Sequence, residues 1–206
     1  MKIQTEPIGS IPRPKYLIDA LNAFSQQQID AAELSKLSDE ALVDTIRRFE
    51  ETGSPVITDE EQTKPSFAVI IPFADNHTRQ LPKITGGPFR YQTYSNAYLE
   101  KAKQFTSLPV KQAVISASAL SLLYPQEGIA DYSQEQFIND LLDEAEADIR
   151  RSLNSGAHNV QIDFTEARLS LKLDPSGGLL KSFIDLNNKV LSSFTEAGGN
   201  RQLVLQ

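Results

Sequence analysis

Cysteine and tryptophan are absent from this 206-residue chain, and methionine occurs once. Without cysteine there is no disulfide framework, no thiolate nucleophile and no cysteine-ligated zinc within these residues. Basic residues are in deficit: 20 Lys and Arg stand against 27 Asp and Glu, a formal net charge of −7 at pH 7. A protein that grips a phosphate backbone needs the opposite surplus, and no basic run with interleaved aromatics is present. Nucleic acid is therefore not an expected partner. No 18-residue apolar run occurs, and Met1-Lys2-Ile3-Gln4-Thr5-Glu6 lacks the apolar stretch of a secretory signal. A cytoplasmic protein with no membrane partner is expected. What is present is ordinary for a soluble globular chain, with 40% hydrophobic and 23% charged residues. A single domain over residues 1–206 is long enough to bury its own core.

Short β-like runs alternate with longer helical patterns. Residues 2–7 read as a strand, ended by the Gly and two Pro of Ile8-Gly9-Ser10-Ile11-Pro12-Arg13-Pro14. Leu17, Leu21 and Phe24 form a helical stripe; Ser38 is read as the cap of a second helix that buries Leu42, Ile46 and Phe49 and stops at Gly53. Pro55-Val56-Ile57-Thr58 makes a second strand, with Asp59-Glu60-Glu61 just past its end; the proline-interrupted run 67–73 is left open. Lys83-Ile84-Thr85 is the weakest strand, broken by Gly86-Gly87-Pro88, and a helix capped by Ser95 follows through Leu99 and Ala102. Residues 110–115 form a fourth strand, followed by the small-residue run Ser116-Ala117-Ser118-Ala119.

The clearest helix opens on the capping-box pair Ser133 and Gln136, repeats Phe137, Leu141, Ala145, Ile149 and Leu153, and ends at Gly156. Asn159-Val160-Gln161-Ile162-Asp163 is a fifth strand closing on a carboxylate. Asp174-Pro175 is read as the start of a helix with Leu180, Phe183, Ile184, Val190 and Leu191 inward, and residues 202–206 as a sixth strand. The alternation implies parallel βαβ units. About six strands fit an open doubly wound sheet and a (β/α)8 barrel lacking its last two units equally well. In both, ligand sites lie at the carboxyl edge of the strands.

Polar residues gather there. One of Asp59, Glu60 and Glu61 is expected to hold a cationic substrate group, the alternative being a solvated loop. Asp163 closes an apolar strand and needs a partner if buried, whether a ligand or a structural ion pair. Glu166 either joins Asp163 in a paired-carboxylate site or faces Arg168 on the surface. Gly9-Ser10 offers backbone N–H groups and a hydroxyl to a carboxylate, or is simply a turn. Ser176-Gly177-Gly178 is a weak phosphate cradle without a GxGxxG or Walker pattern. His77 and His158 lack companions at ligand spacing and are expected to be ordinary loop residues. No Ser-His-Asp or G-x-S-x-G signature supports hydrolysis.

Four segments, in order, resemble the cobalamin-independent methionine synthase family, in particular its short single-barrel members. Residues 8–14 resemble Ile-Gly-Ser-Phe-Pro-Arg-Pro, and Thr58-Asp59-Glu60-Glu61-Gln62 with Pro65-Ser66-Phe67 resembles a Thr-Asp-Gly-Glu-Gln segment. Residues 111–125 resemble the fourth-strand segment, and Val160-Gln161-Ile162-Asp163 resembles Ile-Gln-Ile-Asp-Glu-Pro. The resemblance implies a (β/α)8 TIM-type barrel truncated to about six βα units, the N-terminal three-quarters of the domain. It implies transfer of a methyl group from a methylated folate or related donor to a zinc-bound thiol such as homocysteine. Ile8 and Ser10 would meet the amino acid's carboxylate, and Glu61 and Asp163 its ammonium, with Glu166 nearby.

The sequence departs from that pattern where Glu60 replaces Gly and where Phe164 follows Asp163 in place of Glu, a loss Glu166 could offset. The family's His-x-Cys zinc pair would fall at Leu205-Gln206, so no metal ligand or catalytic residue is expected within this chain, and zinc only in the complete family member. The alternative is a truncated, non-catalytic relative acting as a binding or assembly module, with homo-oligomers formed through open sheet edges. A more distant alternative is another member of the wider barrel superfamily, acting on a different thiol or on a tetrapyrrole.

Overall fold

The computed structural model describes residues 6–9, 11–59, 61–64, 83–195 and 202–205. Helix α1 (Lys15–Ser25) buries Leu17 and Ala20 and packs on α2 (Ala31–Glu51). The cap of α2 is Asp30, which accepts the Glu33 N–H at 2.8 Å, while Ser38 lies inside the helix and donates to the Leu34 carbonyl. Asp is as good a cap as Ser, and the one nearer the first alanines wins. Ile57 pairs with Val110 through a single parallel bridge. Then come α3 (Asn96–Ala102), β1 (Gln112–Ile115), α4 (Ala117–Ser121), α5 (Gln134–Asn154), β2 (Asn159–Asp163), α6 (Ala167–Leu173), α7 (Gly178–Thr195) and β3 (Gln202–Leu205).

The strands form one parallel sheet in the order β1-β2-β3, with Gln112 opposite Val160 and Asn159 opposite Gln202. With the bridge at Ile57, four parallel segments therefore lie side by side in chain order. Lys83-Ile84-Thr85 is not one of them: the Ile84 N–H goes to the Leu123 carbonyl, and no ladder forms. The strand read over residues 2–7 lies largely outside the described residues, and 6–9 is irregular. Ser176-Gly177-Gly178 is the turn into α7, where Asp174 accepts N–H groups from Ser176 and Leu179 at 3.0 and 2.7 Å. Ile184, expected to point inward, is exposed.

Period-two alternation gives the sheet two unlike faces. Val114, Val160 and Ile162 belong to the main core with Phe137, Leu141, Ala145 and Ile149 of α5 and Leu186 and Val190 of α7. Phe137 meets Phe89 edge-on at 5.3 Å and stacks on Tyr124 at 5.5 Å, contacts that each add about 0.5–1.5 kcal/mol beyond burial. The opposite face carries Lys111 and Ala113 from β1 and its approach and Asn159, Gln161 and Asp163 from β2. Gly9 is seated against it. At φ +127°, with an added Cβ only 3.2 Å from that of Ala113, position 9 excludes any side chain. Among the described residues no helix is long and apolar enough to cross a membrane.

Candidate functional site

The polar face is buried along its length, with Thr58, Lys111, Asn159 and Gln161 all nearly inaccessible. At its amino end the Lys111 ammonium donates to the Pro7 carbonyl and lies 3.7 Å from Glu6 Oε2, and Asn159 Nδ2 donates to the same carboxylate at 3.4 Å. Among the described residues the buried carbonyl oxygens of the Asn159 and Gln161 side chains have no hydrogen-bond partner, a cost seldom left standing unless a ligand or water is to meet it.

At the carboxyl end the chain leaves the sheet after Thr58 and turns sharply, with Glu61 at φ +59°. The Ala113 carbonyl is therefore met by side chains instead of a strand neighbour: Gln112 Nε2 at 2.9 Å and Lys64 Nζ at 3.0 Å. Lys64 is 7% exposed. Its ammonium stands 3.8 Å from Glu61 Oε1 and 5.6 Å above the Tyr98 ring. Burial pushes the Asp163 carboxyl up, opposed by the same ammonium. Glu61 is thus paired with the Lys64 ammonium, while Asp163, from a separate part of the chain, feels its charge without an ion pair to it. Asp59 is 1% exposed; its Oδ1 accepts the Glu61 N–H at 3.3 Å, and its Oδ2 has no partner among the described residues. A solvated acidic loop does not describe Asp59 or Glu61. Glu60 lies outside the described residues.

Arg13 secures this turn, its guanidinium donating to the carbonyls of Glu61, at 3.0 Å, and Lys64. The segments 8–14 and 58–64, read separately in the sequence, are joined here by one side chain. Ile8 is 69% exposed, and Ser10 lies outside the described residues.

Glu166 does not face Arg168 on the surface. It is 6% exposed, and its Oε1 accepts the hydroxyls of Ser116, at 2.6 Å, and Ser118. Asn187 Nδ2 donates to Ser118 Oγ at 2.7 Å and Asn187 Oδ1 accepts the Ser118 N–H at 3.2 Å, tying α7 into the group. Ser116 also caps α4 by accepting the Ala119 N–H. Glu166 Oε2 is buried without a partner among the described residues. Sequence reading missed Lys64, Arg13 and the Ser116–Ser118–Asn187 group. A single Lys in a polar turn looks solvated, and small serines after a strand signal only close packing.

A parallel sheet that is apolar toward its helices, polar and buried on its other face, and flanked by carboxylates past the strand ends is the arrangement in which α/β folds place ligand sites at the carboxyl edge. In fold the chain is similar to the Listeria monocytogenes protein assigned as a vitamin-B12-independent methionine synthase, with a TM-score of 0.75 and 23% identity over 98% of this chain and 66% of that one. It is similar as well to a B12-independent methionine synthase from Shewanella sp. W3-18-1 in complex with selenomethionine, with a TM-score of 0.69 and 15% identity over 98% of this chain and 60% of that one. At these identities the likeness establishes a shared fold. The chain spans less than two thirds of the length of either structure. No protein-family profile and no curated protein matches the sequence.

The described residues do not fit a zinc site. The sequence has no cysteine, and no group of three or more His, Asp or Glu side chains among the described residues is placed to hold a metal ion. His158 is exposed at the start of β2, and His77 lies outside the described residues.

Proposed function

We propose that this chain supplies the amino-acid-binding part of a methyltransferase of the cobalamin-independent methionine synthase type, on a (β/α)8-type barrel. The observation that carries the reading is the buried ammonium at the carboxyl edge: Lys64 Nζ stands 3.8 Å from the Glu61 carboxylate, and its charge opposes the upward push of burial on Asp163. Two carboxylates around a buried amine are what an α-amino acid's ammonium needs, because charge-assisted hydrogen bonds there replace its lost hydration. In this reading Ile8 and Ser10 take the carboxylate, which leaves the thiol end free to meet the methyl donor. Glu166 stands behind the site and fixes α4 and α7.

The reaction breaks the N–CH3 bond of a methylated folate and forms an S–CH3 bond on homocysteine, whose thiol has first lost its proton. In complete enzymes of this type zinc acidifies that thiol. Since the residues described do not fit a zinc site, what this chain contributes is binding and orientation.

Titration calorimetry on the full chain with L-homocysteine and L-methionine tests the reading. Binding is expected, weakened about tenfold or more by Glu61→Gln and by Asp163→Asn, the scale of a lost charge-assisted hydrogen bond. Absence of binding, or indifference to both substitutions, would overturn it. Transfer of labelled methyl from methyltetrahydrofolate to homocysteine is expected to be undetectable with the 206-residue chain alone.

A further inference from the structure

We propose that Lys64 is a built-in competitor for the amine position, so that an incoming α-amino acid must displace its ammonium from the Glu61 carboxylate. The inference rests on the amino-acid reading of this site and goes beyond it, by assigning the residue that sets affinity and amine selectivity. Its basis is geometric. The Lys64 ammonium is buried, 3.8 Å from Glu61 Oε1, and held at 3.0 Å by a sheet carbonyl that strand pairing would ordinarily satisfy. Asp163 feels the same charge. In the ligand-free site Glu61 is thereby paired from within, which lowers the cost of burying its carboxylate.

Displacement is feasible because Lys64 is dispensable where it now donates. The Ala113 carbonyl keeps its bond from Gln112 Nε2 when the ammonium leaves. The turn itself is held through its backbone by Arg13, not through the Lys64 side chain. The Tyr98 ring, beneath the ammonium, offers a face on which a displaced or an incoming cation can rest. Apparent affinity for the ligand amine is then reduced by the fraction of time that Lys64 occupies its place. A ligand without an amine gains nothing from that exchange.

The test compares the full chain with Lys64→Met, which keeps the stem and removes the charge, and Lys64→Gln, which keeps a neutral donor. Calorimetry uses two probes: L-methionine and its desamino analogue 4-(methylthio)butanoate. Both variants are expected to bind L-methionine about tenfold tighter than the unaltered chain while binding of the desamino analogue does not improve. A pH titration of the Asp163 carboxyl by carbon NMR is expected to move upward in both variants, since the opposing ammonium is gone. Equal binding of L-methionine by all three proteins would overturn the proposal and leave the amino-acid reading intact. Failure of all three to bind it would overturn that reading, and the competition with it. Loss of the fold in both variants would make Lys64 a structural cation and would also overturn the proposal.

Discussion

Among the described residues, carboxylates withdrawn from solvent gather along α5 and at the carboxyl edge of the sheet, and they are treated differently. Along one face of α5, Asp140, Glu144 and Asp148 each accept backbone N–H groups from the segment before α3: Phe89 at 3.1 Å, Tyr91 at 3.0 Å and Ser95 at 2.6 Å. Side chains complete the sets, with Tyr132 and Arg90 on Asp140, Tyr94 on Glu144 and the Ser95 hydroxyl on Asp148. At the sheet edge, Asp59 and Glu166 are as deeply buried as Glu144 and Asp148, yet each keeps one oxygen without a partner among the described residues. The first group spends its charge on holding an extended loop to a helix. The second retains capacity that folding does not use. Burial alone does not separate a structural carboxylate from one kept for a ligand; the state of its second oxygen does.

That contrast is most exposed to failure at Glu144. Glu144→Ala strips the Tyr91 N–H and the Tyr94 hydroxyl of their acceptor and is expected to cost about 2–4 kcal/mol in denaturant unfolding. A loss under 1 kcal/mol would mean that the α5 ladder is decorative.

The pH dependence should differ in sign between Asp140 of the first group and Asp163 at the sheet edge. Burial raises the Asp140 carboxyl, but hydrogen bonds from Tyr132 and Arg90 outweigh it and hold the group below the ordinary 3.8. A depressed folded value stabilises above the unfolded value and is lost as pH falls through the folded one. Asp140→Asn is therefore expected to lower Tm at pH 7, with the deficit fading below pH 3.8. Asp163 lies above 3.8 because of burial, so its charge opposes folding at neutral pH. Asp163→Asn is expected to raise Tm at pH 7, the gain shrinking as the solution is acidified through the folded value toward 3.8. Thermal melts from pH 7 to pH 3 would show both trends, and like signs would break the comparison.

Glu166→Gln should cost less than about 1 kcal/mol, because its amide oxygen can keep the Ser116 and Ser118 hydroxyls and the other oxygen has no partner to lose. As a surface reference, Asp185→Asn breaks the exposed pair with Lys181 and should change stability by less than about 0.5 kcal/mol.

Much of the scaffold was legible because its signals are local. Ser133 and Gln136 form the capping box that opens α5, and the strand read at 159–163 is β2 to the residue. Where neighbours decide, reading failed. Lys83-Ile84-Thr85 has strand composition, but its Ile84 N–H goes to the Leu123 carbonyl, and the segment passes at once into Gly87, where a Cβ would strike the Tyr132 ring at 2.5 Å. Helix α6 went unread because Leu169, Leu171 and Leu173 alternate like a strand, and all three remain exposed. In the site, Asp163 and Glu61 were legible as carboxylates past strand ends. Lys64 was not, because its burial depends on a chain reversal and on the Ala113 carbonyl, neither of which leaves a mark in the residues around it.

Arg13 holds the turn at residues 61–64 by two carbonyl oxygens. A grip on the main chain is indifferent to the identity of the residues gripped. The place of the turn and the chemistry it presents are therefore inherited separately, one through Arg13 and the other through whatever occupies positions 61 and 64. Side chains there can be exchanged, by drift or by an engineer, without rebuilding the loop that displays them. The ligand preference proposed for this edge would then change with single substitutions.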